Sequence, residues 1–406
     1  MSNTLEEKNL DFDTIIDRRH TKSLKYDFAV ERGAAKPGED ASDLLPLWVA
    51  DMDFKTSSFI QDALIRTAEH GIFGYSETQE DYFRILQDFY RRRHNYEIES
   101  PRWVTKTPGV MFVLGMAIKA FTNVGDGVLI QQPVYMHFVD VIEDNERKVV
   151  SNDLVYGEDG RYHIDFEDFE KKIVENNIKL FLLCSPHNPV CRVWTREELL
   201  RIGEICLKHN VLVVSDEIHN DFVFEGTHTV FGSLSEEIAD NSIIVTAPTK
   251  TFNLAGVQIS HTFVKNPKIR RALRNQINAT GYSQVSIQGI VSAEAAYANG
   301  DDWLDALLKY LKGNIDYTKK FVQENLKGVK LVPMEATYLA WLDFNGTGLT
   351  TEQVDDLVLR KARLWLNSGT KFGKTGAGFQ RLNLACPRSI LEKALNRLKV
   401  ALDSVK

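Results

Sequence analysis

An alternation constrains this chain more than any other feature. Between residues 127 and 246, short apolar runs alternate with segments of helical periodicity. The runs are Gly127–Gln131, Arg147–Ser151, Leu180–Cys184, Val211–Ser215 and Ser242–Thr246. The helical segments between them include Tyr135–Asn145, Phe166–Glu175 and Thr195–His209, the last opening with Thr195 and Glu198 in capping-box spacing. A strand that is apolar throughout is covered on both faces. Such strands separated by helices predict an α/β fold with a mostly parallel central sheet flanked by helices. In such sheets ligands gather beyond the carboxyl ends of the strands.

Three strand ends carry chemistry. After Leu180–Cys184 comes Ser185-Pro186-His187-Asn188; after Val211–Ser215 comes Asp216; after Ser242–Thr246 a short turn delivers Lys250. Each is ordinary alone, because most lysines after strands are solvated loop charges. Together they place a neutral donor, a carboxylate and an amine on one rim. Pyridoxal phosphate needs that set: an amine for its aldehyde, a carboxylate for its ring nitrogen and a donor for its phenolic oxygen. Lysine suits the first role because desolvation frees its amine. Pro108-Gly109 before the helical segment Val110–Thr122 adds a strand–turn–helix junction of the kind that holds phosphate.

Outside this block, Phe59–His70 and Glu80–Arg93 read as helices and Trp103–Thr107 as a strand. Past residue 265 the pattern changes to helices at Pro267–Ala279, Gln284–Ala298 and Trp303–Asn325. Strands at Tyr338–Asp343 and Phe379–Leu384 follow, with helices at Thr351–Lys361 and Ser389–Val405, an α+β arrangement. At 406 residues two domains are expected. We expect an N-terminal arm with part of the small domain over 1–48, a large domain over 49–290 and a small α+β domain over 291–406. A net charge of −7 without a dense basic run argues against nucleic acid or anionic membrane as partner. No apolar run is long enough for a transmembrane helix, and the polar, acidic N-terminus is unlike a secretory signal; the cytoplasm is the expectation. The four cysteines lack metal-site spacing, so reduced thiols and no metal are expected.

Motifs along nearly the whole chain resemble fold-type I pyridoxal-phosphate enzymes of the class I/II aminotransferase superfamily, and within it the MalY/PatB cystathionine β-lyase (C–S lyase) branch. They are WVADMDF at 48–54, FGYS at 73–76, TPGV at 107–110, SPHNPVCRVW at 185–194, SDEIH at 215–219, TAPTKTFNLAG at 246–256 and FQRLNLACPR at 379–388. The resemblance makes Lys250 the Schiff-base lysine and general base, Asp216 the ring-nitrogen partner and Asn188 the donor to the phenolic oxygen, near the substrate. His219 stands where aminotransferases usually carry tyrosine near that oxygen, and Tyr135 matches the aromatic that stacks on the ring. Gly109, Val110 and Met111 match the phosphate-binding helix start, with Thr246 and Thr249 close by. Tyr75 matches a tyrosine that reaches the neighbouring subunit's phosphate, which implies a homodimer with shared, catalytically complete sites. Arg381 matches the grip on the substrate α-carboxylate, and Tyr338 lines the substrate side.

The implied activity is β-elimination on S-substituted L-cysteines: cystathionine to homocysteine, pyruvate and ammonia, or cysteine to hydrogen sulfide. An amino-acid aminotransferase is the alternative, and an interaction protein acting on a transcriptional regulator is the alternative of another class. Two departures stand out. Gln258 occupies the position, eight residues past the lysine, of the aminotransferases' phosphate-binding arginine, which favours the lyase branch. Cys191 replaces a family glycine, so a positive φ there would strain it.

Overall fold

The computed structural model describes residues 10–405. Two helices, α1 (Ser58–His70) and α2 (Glu80–His94), precede a seven-stranded sheet. Its strands are β1 (Val104–Thr107), β2 (Gly127–Ile130), β3 (Lys148–Ser151), β4 (Leu180–Cys184), β5 (Leu212–Asp216), β6 (Ser242–Thr246) and β7 (Ser260–Phe263). They lie in the order β1-β7-β6-β5-β4-β2-β3. β3, β2, β4, β5 and β6 run parallel in that sequence, and β7 pairs antiparallel with both β6 and β1. The connecting helices are α3 (Val110–Phe121), α4 (His137–Glu143), α5 (Phe166–Glu175) and α6 (Arg196–Lys208).

Period-two alternation sorts the sheet's side chains. Leu180, Leu182 and Cys184 of β4 join Val113 of α3 and Phe138 of α4 on one face. Phe181 and Leu183 join Phe169 of α5 and Leu199 and Ile202 of α6 on the other. That second core continues without a break into the C-terminal half of the chain.

There α7 (Pro267–Asn278), α8 (Ile287–Asn299) and the long α9 (Asp301–Asn325) lead to an antiparallel sheet. Its strands β8 (Lys330–Leu331), β9 (Leu339–Asp343), β10 (Asn367–Ser368) and β11 (Phe379–Asn383) lie in the order β8-β9-β11-β10, and α10 (Arg388–Asp403) closes the fold. Leu45–Pro46 pairs parallel with Leu364–Trp365, which fastens the N-terminal region to this half.

Some expectations need correction. β7 was not anticipated, because three of the four residues of Ser260-His261-Thr262-Phe263 are polar. All four residues are nonetheless buried, with Ser260 Oγ 2.6 Å from Thr107 Oγ1 and His261 Nε2 2.5 Å from the Tyr82 hydroxyl. Polar partners in the sheet and on α2 replace the apolar signal. The helix expected over Tyr135–Asn145 is only His137–Glu143, leaving Tyr135 ahead of it. The helix expected over Thr351–Lys361 is helical only to Asp356 and ends in a π-helical turn, Leu357–Lys361.

The segment that links the two halves is 47–54. The Asn383 backbone N–H donates to Leu47 O (2.9 Å), and its side-chain amide donates to Val49 O (2.6 Å) and Asp51 O (2.7 Å). On the opposite side Asn253 accepts from Met52 N–H (2.9 Å) and donates to Met52 O and Phe54 O (both 3.0 Å). Arg18 and the fully buried Lys25 pair with Asp53 at 2.7 and 2.8 Å, and Arg18 also holds Asp51 at 2.6 Å. Buried charges persist only when paired in this way.

Candidate active site

The rim forms where the strand order places it. β4, β5 and β6 are adjacent, so their carboxyl ends set Asn188, Asp216 and Lys250 side by side. Asp216, the last residue of β5, is 5% exposed and accepts from the Ile218 N–H at 3.2 Å. Burial lifts its carboxyl to about 7, opposed by that N–H and by the charge of Lys250, with Glu217 adding to the rise. Lys250 lies in a single helical turn, Pro248–Thr251, and donates to Ala50 O at 2.8 Å. Desolvation lowers its amine to about 8, against the attraction of Asp51 and Asp216 and with repulsion from Arg381. Part of the amine is therefore neutral and nucleophilic near neutral pH.

The second half of the site comes from β11 and its neighbours. Arg381 is 3% exposed. One terminal nitrogen donates to Asn188 Oδ1 (3.1 Å), the other to Trp48 O (2.8 Å) and Asn367 Oδ1 (2.9 Å). Its buried Nε has no partner among the described residues, which leaves a donor for a ligand carboxylate. Asn188 spends its oxygen on Arg381, so its amide N–H stays available. The Tyr338 hydroxyl donates to Ala50 O at 2.9 Å, the acceptor that Lys250 also uses. His219 is 4% exposed; burial, then Lys250 and Arg381, hold its imidazole near 3, so it is neutral. Its Nδ1 is buried with no partner among the described residues, and its ring meets that of Tyr338 edge-on at 6.0 Å. Tyr135 is held up at about 12 chiefly by burial, with Arg381 lowering and Asp216 raising it, and its ring meets His137 edge-on.

At the far end, Gly109 is the N-cap of α3 and supplies no capping side chain, and a Cβ placed on it would meet nothing within 4 Å. The first N–H groups of α3, those of Val110 and Met111, therefore front open space, as an anion site requires. Thr249 is partly exposed beside Lys250. Thr246 is 1% exposed, and its oxygen accepts from the Tyr90 hydroxyl at 2.8 Å. Tyr75 stands apart from the site within one chain. It is 99% exposed, on a segment where Ile72 and Phe73 are also exposed.

Sequence reasoning missed several supporting groups. The Ala50 carbonyl, Trp48 carbonyl and Asn367 hold Lys250, Tyr338 and Arg381, and backbone acceptors leave no residue-type signal. A buried chain also runs behind Lys250: the Thr251 hydroxyl donates to Asp221 Oδ2 (2.6 Å), and Asp221 Oδ1 lies 3.1 Å from His94 Nε2. A carboxylate five residues past Asp216 was the available clue. Cys191 does adopt φ 61°, and its thiol donates to Leu339 O at 3.1 Å, tying the Asn188 loop to β9. Burial pushes that thiol up to about 12. Gln258 has φ 54° and is exposed.

These residues fit pyridoxal phosphate. The uncapped α3 N-terminus suits the phosphate, Asp216 suits a cationic ring nitrogen that offsets its burial, and Lys250 suits the aldehyde. Among the described residues no group of three or more His, Cys, Asp or Glu could hold a metal ion, and no helix is long and apolar enough to cross a membrane.

Comparison with known proteins agrees. The aminotransferase class I and II family matches residues 42–398. Cystathionine beta-lyase PatB of Bacillus subtilis is 40% identical over 97% of this chain and 100% of its own length. Protein MalY of Escherichia coli is 32% identical over 98% and 100%. The structure of cystalysin from Treponema denticola, which contains pyridoxal 5'-phosphate, superposes with a TM-score of 0.93 at 37% identity, covering 98% of this chain and 99% of that one. The chain thus has the fold of the fold-type I pyridoxal-phosphate proteins, and it belongs to the class I and II aminotransferase family, in its cystathionine β-lyase branch.

Proposed function

We propose that this protein is a pyridoxal-phosphate-dependent carbon–sulfur lyase acting by β-elimination on S-substituted L-cysteines, with L-cystathionine as the representative substrate. One observation carries the reading: Lys250, Asp216, Asn188 and Arg381 converge in a chain that is 40% identical, along its length, to a cystathionine beta-lyase. The cofactor, when bound, supplies the electron sink that makes the substrate Cα–H acidic.

The protein's groups do the rest. The N–H groups of Gly109, the α3 N-cap, and of Val110 and Met111, with the Thr249 and Thr246 hydroxyls, would hold the phosphate. Asp216 would pair, ionised, with the ring nitrogen, Asn188 would donate to the phenolic oxygen beside a neutral His219, and Tyr135 would supply an aromatic partner for the ring. Arg381 binds the substrate α-carboxylate and so fixes which Cα bond faces Lys250. Lys250, partly neutral and held by Ala50 O beside Tyr338, takes the Cα proton. The Cβ–S bond then breaks, its electron pair leaving on sulfur as a thiolate that takes up a proton from solvent to become the thiol. The net reaction converts cystathionine and water into homocysteine, pyruvate and ammonia.

The exposed Tyr75 segment supports a homodimer in which Tyr75 of each subunit completes the phosphate end of the other, and we place the enzyme in the cytoplasm. The test is pyruvate formation from L-cystathionine with and without an added keto acid. Pyruvate without the acceptor is the expected result. Turnover that requires the acceptor would replace this reading with transamination.

A further inference from the structure

Two cations at the site's outer edge have no role in the chemistry above. Arg32, in the N-terminal arm, lies over the Trp48 ring with its guanidinium carbon 5.6 Å from the centroid. Trp48 is stacked on Trp365 at 4.5 Å, which fixes its plane, and its carbonyl accepts from Arg381. Lys371 lies in the short helical turn Gly369–Phe372, next to Phe372, whose ring carries the Arg381 guanidinium at 4.8 Å. Arg32 is therefore one contact removed from the group that grips the α-carboxylate, and Lys371 is the chain neighbour of a residue that touches that group.

Neither has an ion pair or side-chain hydrogen bond among the described residues. Asp355 is the carboxylate that acts on Lys371, and its Oδ1 accepts from Gln380 at 2.5 Å. Although its side chain reaches solvent, the Lys371 ammonium is held below its ordinary value by desolvation, with Arg381 and Arg32 repelling it. Three cations thus gather where one carboxylate is already provided for. With Arg381 on the α-carboxylate, the exposed Arg32 and Lys371 are left to meet an anion at the other end of the substrate.

Resting on the lyase reading, we propose that Arg32 and Lys371 form a distal carboxylate site, and that the favoured substrates are S-substituted cysteines whose sulfur substituent itself carries a carboxylate. Cystathionine belongs to that class; S-alkyl cysteines do not. The site contributes through the charge of the substrate's far end and leaves the bond-breaking groups untouched.

The test compares S-(2-carboxyethyl)-L-cysteine with S-(2-carbamoylethyl)-L-cysteine, which match in shape and differ by one charge. Both kcat/KM for pyruvate release and Kd by titration calorimetry are measured on the holoenzyme. The wild type is expected to prefer the acid by about tenfold, the scale of one or two partly solvated charge pairs. The Arg32→Gln/Lys371→Gln double variant loses that preference, and Lys371→Arg alone retains it. A wild-type ratio near one, or a preference that survives the double substitution, overturns the proposal. Absence of pyruvate from both compounds overturns the lyase reading instead, and the ratio of the two Kd values then still decides whether the charge site exists.

Discussion

The two halves of the site are built in different ways. Asn188, Asp216 and Lys250 belong to a half made by local topology, where adjacent parallel strands end on one rim and each functional residue sits at or just past a strand end. Arg381, Tyr338 and Ala50 belong to a half made by threading. Segment 47–54 is clamped between Asn253, just past Lys250, and Asn383 at the end of β11, and its carbonyls hold the side chains that face the rim. The first half depends on the sheet, the second on a few side-chain amides.

Substitutions should separate the halves. Lys250→Ala removes the group proposed to bind the cofactor and move the proton; turnover of cystathionine should fall by about 10³-fold or more, with the fold intact by circular dichroism. Asp216→Asn should lower turnover by about 10²-fold or more, yet behave oppositely in stability. Burial raises this carboxyl in the folded protein to about 7 from its ordinary 3.8, so its cost is absent below about pH 4, grows as pH rises through 7 and is full above it. Without cofactor, the Asn variant should therefore melt higher than wild type at pH 8, with the difference gone at pH 4. An equal gap at both pH values would contradict the assigned cause.

Asn253→Ala probes the threaded half. It removes three side-chain bonds to segment 47–54 and should cost about 2–3 kcal/mol. It should also lower kcat, because the Ala50 carbonyl loses its place, while cofactor absorbance persists. Retained kcat would show that the topological half positions Lys250 unaided. Cys191→Gly should change least, within about 1 kcal/mol by denaturant melts, because relief of the positive φ opposes loss of the buried thiol and its bond to Leu339 O.

The same division explains what was legible in the sequence. The parallel sheet and its three rim residues follow from apolar runs and the residues after them, so Asn188, Asp216 and Lys250 were readable from spacing. Arg381 and Tyr338 were reachable only through likeness to a family, because nothing local to 379–383 or 336–338 says that those strands face the rim. The Ala50 and Trp48 carbonyls were not readable at all, since any residue supplies a carbonyl. β7 escaped because its buried Ser260 hydroxyl and His261 imidazole are satisfied by Thr107, Tyr82 and Tyr297, contacts far away in sequence.

The central claim is that this constellation breaks a carbon–sulfur bond. The most direct measurement is the stoichiometry of thiol, pyruvate and ammonia released from L-cystathionine by the holoenzyme, with no other amino or keto acid present. Equal amounts of all three, abolished in Lys250→Ala, are what this account predicts. Loss of cystathionine without free thiol, or thiol release that persists in the variant, would contradict it.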